Sequence, residues 1–151
     1  MQIASEQISG GMATVLYGPD SNLGIACKRA QEWCLDKGIE NPECKIVNYL
    51  YPHCKVVAGN TEALKYLEAN AKNFKLRRVK KIPVSGAFHT NLMESAVEPF
   101  AKALNKIHIE EPIINVHSNV DGKRYRGVSH ILQQLPKQVG LFFVTRQIIT
   151  K

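Results

Sequence analysis

The sequence lacks three features, each of which would define a broad class of protein. No stretch approaches the ~18 consecutive apolar residues of a transmembrane helix, and the first residues have neither the basic start nor the apolar run of a secretory signal. Four cysteines are present, but no CxxC or CxxH pair occurs, and structural zinc sites are built from such pairs. We therefore expect no membrane span, no metal site and reduced thiols rather than disulfides.

Acidic residues are absent from one stretch that is rich in cations. Between residues 70 and 91 there is no acid, while the whole chain has a formal net charge of +7. A cationic cluster of this kind attracts an anionic partner, although it can also be a solvated strand face, and the sequence leaves both possibilities open. The cations are Lys72, Lys75, Arg77, Arg78, Lys80 and Lys81.

Turn-forming residues and apolar periodicity organise the first half of the chain. They predict strands over 12–17, 44–50, 55–58 and 74–83. They also predict a helix that Ser21 or Asn22 can cap and that Gly38 ends, and a second helix that starts with Gly59-Asn60-Thr61. The order βαββαβ predicts a four-stranded antiparallel sheet with both helices on one face, the ferredoxin-like arrangement.

After Pro83 the pattern changes. A loop of small residues carries Phe88 and His89, and a helix follows that Pro99 should kink or restart. We further predict a strand over 112–117 and a short helix over 129–135. These elements cannot complete a sheet alone, so the fold class is α+β with part of a larger layered body.

Several motifs carry a resemblance to a known family. They are Pro-Val-Ser-Gly-Ala-Phe-His-Thr at 83–90, Asn-Tyr-Leu-Tyr-Pro at 48–52 followed by Val-Val-Ala-Gly at 56–59, and Ser-Asn-Val-Asp-Gly at 118–122. In this order and spacing the chain resembles malonyl-CoA:acyl-carrier-protein transacylases of the mitochondrial type, from residue 1 to about 135. The resemblance implies a connector over 1–11, a ferredoxin-like small subdomain over 12–84, part of an α/β-hydrolase-like acyltransferase subdomain over 85–135, and a divergent tail over 136–151.

The resemblance also implies a chemistry. A serine on a Gly-x-Ser-x-Gly turn attacks the malonyl thioester, a histidine takes its proton, and malonyl passes to the phosphopantetheine thiol of the carrier protein. His89 matches the base, and imidazole suits that role because its pKa of about 6.5 lies near neutrality. Phe88 matches a position that separates malonyl from branched substrates. Asn48 either lines the cleft or satisfies a strand end.

The same resemblance implies the surroundings of the reaction. The partners would be malonyl-CoA and an acidic acyl carrier protein, without nucleic acid, membrane or cofactor. The chain would act as a monomer in fatty acid synthesis in the mitochondrion, or otherwise in the cytoplasm.

The chain departs from the family's pattern in ways that bear on activity. No Gly-x-Ser-x-Gly occurs in the 151 residues, the arginine that binds the malonyl carboxylate has no match, and the likeness ends near Gln134. We therefore expect a fragment or variant that is inactive alone.

Three other readings of the chain remain. It could be a non-catalytic module that binds the carrier protein, or an inert fragment. It could also be an RNA-recognition-like domain, which is disfavoured because the third strand has no aromatic residue to stack bases.

Overall fold

The structure, a computed structural model, describes Ser5 and residues 8–140. Its centre is a four-stranded antiparallel sheet with the strand order β2-β3-β1-β4. The strands are β1 (Gly10–Tyr17), β2 (Cys44–Tyr51), β3 (Cys54–Asn60) and β4 (Leu76–Ile82). All four predicted strands of the first half are therefore confirmed, although β1 begins two residues earlier than predicted and β4 is shorter at both ends.

Two helices connect these strands as the sequence predicts. Helix α1 (Leu23–Asp36) begins after Asn22, whose side chain accepts a hydrogen bond from the amide of Ile25 at 3.1 Å; this is the usual way to satisfy a free amide in the first helical turn. The chain leaves α1 through Gly38, which has a φ of 79° that glycine adopts without strain. Helix α2 (Thr61–Ala69) follows β3 directly.

Both helices cover one face of the sheet and form the main core with it. Val15, Val57 and Leu67 are fully buried there, and Trp33 packs at the edge against the ring of Tyr66 with centroids 5.5 Å apart. The alternation of side chains along each strand sends every second residue to this face. The opposite face is therefore left for the second half of the chain.

The cysteines are free thiols buried in the fold, as predicted. Cys27 and Cys34 lie on the inner side of α1 and Cys44 begins β2, all within the main core. A side-chain hydrogen bond with Cys27, together with burial, raises the pKa of the Cys44 thiol. A thiol with a raised pKa is a poor nucleophile, so this group serves packing.

The second half is helical and less regular. It contains a 3-10 helix (Asn91–Ala96), α3 (Val97–Leu104), α4 (Val128–Gln134) and α5 (Lys137–Gly140). Pro99 lies in the first turn of α3, where its missing amide removes no helical hydrogen bond, so the predicted restart is confirmed and falls two residues before the proline.

One prediction for this half is wrong. Residues 112–117 form no strand; an isolated bridge joins His117 to Arg124 across the turn at Gly122. A strand needs a partner strand for its amides and carbonyls. Within the described residues no second strand runs beside 112–116, and the carbonyl of Val116 accepts a single turn-type hydrogen bond from the amide of Tyr125 at 2.9 Å. Ile113 and Ile114 are accordingly exposed to solvent.

Candidate functional site

The loop over 83–90 is fixed to the face of the sheet that the helices leave open. Ala87 is buried there against Val47, Val56 and Ala58. The loop also approaches the start of β1 so closely that a Cβ atom on Gly10 would lie 2.9 Å from the Cβ of Ala87. Glycine at position 10 therefore allows the contact that anchors the loop.

Thr90 closes the loop and starts the 3-10 helix. Its side chain is fully buried, donates a 2.6 Å hydrogen bond to the carbonyl of Ala87 and accepts one from the amide of Leu92 at 3.3 Å. A single hydroxyl thereby joins the anchored end of the loop to the helix that follows. The residues between, Phe88 and His89, are held at both sides.

The backbone of His89 adopts a rare conformation between these two anchors. Its φ is 64°, in the left-handed region that costs a residue with a Cβ atom about 1–3 kcal/mol. The hydrogen bonds of Thr90 and the packing of Ala87 compensate for that strain. Strained backbone of this kind concentrates at functional positions, which marks His89 as the residue of the loop to consider first.

The imidazole of His89 is oriented by a backbone carbonyl. Nδ1 lies 3.0 Å from the carbonyl oxygen of Gln138. Because a carbonyl only accepts hydrogen bonds, Nδ1 must be the donor and carries the proton. In the neutral ring the lone pair is then on Nε2, which is the state that a general base requires.

The surroundings keep this ring neutral near pH 7. Burial lowers the pKa of His89 below its ordinary value, and the hydrogen bond to the Gln138 carbonyl opposes that shift more weakly. Desolvation acts in this direction because it disfavours the charged imidazolium. A neutral imidazole at physiological pH can accept a proton.

Phe88 points to a different cluster from that of Ala87. It packs, partly buried, against Met93, Ala96 and Val139, with Phe100 alongside. The aromatic ring thus forms part of the wall formed by the 3-10 helix and α5 directly beside His89. This position is compatible with lining a cleft and with plain packing.

Asn48 lies in β2, within an irregular stretch of its pairing with β3. It is paired with Val56 while Ile46 is paired with Val57, so one extra residue is accommodated between them. Paired residues share a face of the sheet, and the side chain of Val56 packs against Ala87. The structure therefore places Asn48 on the same face as the loop of His89.

Two contributors to the site carry no sequence signal. The carbonyl of Gln138 reaches His89 from 49 residues along the chain, and every residue type has such a carbonyl. Val139 packs beside it, but an apolar residue near the end of the likeness is unremarkable in sequence. The spatial arrangement of α5 is what reveals them.

The described part of the chain also shows what other kinds of site it can hold. Ser5 and residues 8–140 contain no group of three or more histidine, cysteine or acidic side chains that could hold a metal ion. Over the same residues no helix has the length and apolar character needed to cross a bilayer.

Known proteins resemble this chain over nearly its whole length. It is 66% identical over 139 residues to the probable mitochondrial malonyl-CoA-acyl carrier protein transacylase of Drosophila melanogaster, a match that covers 92% of this chain and 37% of that protein. It is 48% identical over 139 residues to the human mitochondrial malonyl-CoA-acyl carrier protein transacylase, covering 92% and 36%. The resemblance to the mitochondrial transacylases is confirmed.

A solved structure supports the same relationship. The malonyl-CoA:acyl carrier protein transacylase from Xanthomonas oryzae superposes with a TM-score of 0.75 at 25% identity, covering 94% of this chain and 43% of that one. No family model matches the chain. The chain spans about 37% of the length of the Drosophila transacylase.

Proposed function

We propose that this chain is part of a malonyl-CoA:acyl-carrier-protein malonyltransferase of mitochondrial fatty acid synthesis and contributes the general base, His89. The observation that supports this proposal most directly is the state of the His89 imidazole. Nδ1 donates a hydrogen bond to the Gln138 carbonyl, and burial lowers the pKa of His89. Together they favour a neutral ring with its lone pair on Nε2. The mitochondrial transacylases that match the chain supply the substrate and the carrier protein by name.

In this proposal the reaction proceeds by two acyl transfers. A serine hydroxyl attacks the malonyl thioester carbon while Nε2 of His89 takes the hydroxyl proton, and the coenzyme A thiolate leaves and takes that proton from the imidazolium. The carrier-protein thiol then attacks the acyl serine, with His89 again moving the proton. The sequence has no Gly-x-Ser-x-Gly, so the 151 residues alone form no acyl-enzyme.

In the same proposal the two halves of the chain belong to different subdomains of the enzyme. Residues 12–84 form the ferredoxin-like subdomain, 85–135 belong to an α/β-hydrolase-like acyltransferase subdomain, and the tail over 136–151 follows, of which 141–151 lie outside the described residues. Phe88, beside the base and packed at the wall of α5, limits the volume at the malonyl carbon, where one methyl group in a packed pocket is worth about 1–3 kcal/mol. Asn48 lines the cleft from the small subdomain, and the whole protein acts as a monomer.

Radiolabelled malonyl-CoA tests the proposal. The chain alone should retain no acid-stable label, whereas the chain joined to the nucleophile-bearing segment of the Drosophila relative should transfer malonyl to carrier protein. In that joined protein His89→Ala should lower the rate by roughly 10³-fold or more, because the members of a catalytic unit act together. His108→Ala changes an exposed histidine and is the matched control.

Two results would overturn this proposal. Label held covalently by the chain alone would contradict its inactivity. A joined protein that transfers malonyl equally well with and without the His89 imidazole would show that another group is the base.

The basic edge strand favours a second, non-catalytic function. In β4 the cations form two adjacent pairs, Arg77-Arg78 and Lys80-Lys81, along an edge strand of the sheet, and all four are exposed. None of them forms an ion pair with an acid of the described residues. An acidic carrier protein could bind there without turnover.

Binding measurements separate the two functions. Affinity for an acidic carrier protein should fall with salt, because exposed charges are screened over about 10 Å at 0.1 M. Arg78→Ala should weaken binding and the exposed Lys123→Ala should not. Binding that persists unchanged at high salt would exclude the charged surface of β4 as the docking site.

A further inference from the structure

The carbonyl that orients His89 belongs to a helix too short to form by itself. Helix α5 comprises Lys137–Gly140, a single turn, and the first turn of a helix is the costly one because it fixes several dihedral angles for one hydrogen bond. Its position must therefore come from packing against its neighbours. The side chains that dock α5 decide where the Gln138 carbonyl lies.

Val139 provides that docking. It is 6% exposed and packs in one cluster with Met93 and Ala96, with Phe88 and Phe100 against it. The cluster joins α5 to the 3-10 helix and to the residue immediately before His89. Burial of a valine side chain removes apolar surface from water, which stabilises the docked position of this single turn of helix.

Further contacts restrain the same turn. The amide of Val139 donates to the carbonyl of Pro136 at 3.2 Å, and the side-chain amide of Gln138 donates a long, 3.4 Å bond to the hydroxyl of Tyr125. These bonds restrain the rotation of the peptide between residues 138 and 139. The carbonyl of Gln138 and the amide of Val139 belong to one planar peptide unit. Holding Val139 in place therefore also sets the direction of the Gln138 carbonyl.

We infer that Val139 is a positioning residue: by packing α5 against the loop of His89, it holds the Gln138 carbonyl where it keeps the imidazole proton on Nδ1. This inference rests on the proposed role of His89 as the base. The carbonyl of Gln138 can only accept a hydrogen bond, so it favours the ring with its proton on Nδ1. A ring protonated at Nε2 instead cannot accept the serine proton. Part of the chain beyond residue 135 thus serves the site directly.

The test is the tautomer of His89 in the full 151-residue chain with ¹⁵N-labelled histidine. Long-range ¹H–¹⁵N spectra should show one tautomer in the parent protein, protonated at Nδ1. Val139→Ala removes two methyl groups from the cluster and should produce a mixture of tautomers. Its His89 pKa should also move up toward the ordinary value, because burial is the larger of the two influences on it.

Matched variants separate positioning from general loss of structure. Val139→Ile keeps the apolar contact and should keep the single tautomer, while Val116→Ala removes the same atoms from a valine that is 38% exposed and should change nothing. If the amide signals of the sheet disappear in Val139→Ala, that variant has not folded, and Val139→Thr is used instead. Threonine keeps the shape of valine but places a hydroxyl in the apolar cluster. That variant should give a smaller admixture of the second tautomer.

A folded Val139→Ala or Val139→Thr protein that keeps a single Nδ1-protonated ring would overturn the inference. The measurement needs neither a nucleophile nor turnover, so its outcome is independent of the labelling assay. If the tautomers respond as expected but the joined protein transfers no malonyl, the proposed function fails and the positioning role of Val139 stands.

Discussion

The sheet with its two helices and the region after it differ in how continuous their buried cores are and how fully their backbone is paired. Over residues 10–82 the main core is continuous and the strands pair along most of their length. Over residues 83–140 the buried apolar residues form a small cluster of their own, while Ala87 is buried against β2 and β3 and Ile113 is fully exposed. The first region serves as a scaffold. The second contains the loop of Phe88 and His89, which is anchored on that scaffold through Ala87.

The difference shows where precision is needed. Local signals are enough to predict the elements of the scaffold, because turn-forming residues and apolar periodicity mark where each strand and helix begins and ends. The imidazole of His89, in contrast, is oriented by the backbone carbonyl of a residue 49 positions away and by a φ of 64°. The following predictions, ordered from largest to smallest expected effect, probe the two regions separately.

Gly59→Ala should be the most damaging single change in the scaffold. A Cβ atom there would lie 2.0 Å from the carbonyl oxygen of Glu43, and β2 and β3 would have to separate. We expect a loss of several kcal/mol or failure to fold, measured by urea unfolding. Gly24→Ala is the control: in α1 an added Cβ atom would lie 3.7 Å from Oδ1 of Asn22, an ordinary van der Waals contact, and it should stabilise the helix by about 0.5–1 kcal/mol. A stable Gly59→Ala protein would contradict the tight pairing of β2 with β3.

Leu67→Ala should come next. The side chain is fully buried between α2 and the sheet, and its truncation leaves a cavity that typically costs 2–5 kcal/mol. Leu35→Ala, at a position 57% exposed on α1, should change stability by less than about 0.5 kcal/mol. Denaturant midpoints compare the two variants, and similar values for both would refute the burial of Leu67.

Thr90→Val tests the loop region. It removes the hydroxyl that bonds Ala87 and Leu92 while keeping the volume, which should cost about 1–2 kcal/mol. The exposed Thr61 hydroxyl bonds Ser9, so Thr61→Val should cost less. Thermal unfolding of both proteins measures the difference, and equal losses would argue against a special role for Thr90.

The pH dependence of stability should show the smallest effect. The folded pKa of His89 is lowered, so the unfolded chain binds its proton first; stability that is present above the ordinary pKa of about 6.5 is lost as the pH falls below it. The free energy of unfolding should therefore decrease less between pH 7 and pH 5 in His89→Gln than in the parent protein, as measured by denaturant unfolding at both pH values. The exposed His108→Gln should behave like the parent.

Much of the scaffold was predictable because its signals are local. Ser21 or Asn22 predicts the start of α1 and Gly38 its end, and apolar alternation predicts the strands, so the element order followed from residues close in the chain. The strand over 112–117 was wrongly predicted because the residues of a segment show that it could pair in a sheet, not whether a partner strand exists beside it. The sequence motif identified His89, but neither the Gln138 carbonyl nor the packing of Val139, since both depend on how a distant turn docks.

The nitrogen of His89 that carries the proton at neutral pH is the most direct test of the central claim. Long-range ¹H–¹⁵N spectra of the parent chain, with the His89 signals assigned by the His89→Gln variant, report it without any assay of turnover. The account predicts a neutral ring protonated at Nδ1, with Nε2 unprotonated. A ring protonated at Nε2, or one that is positively charged at pH 7, would contradict it.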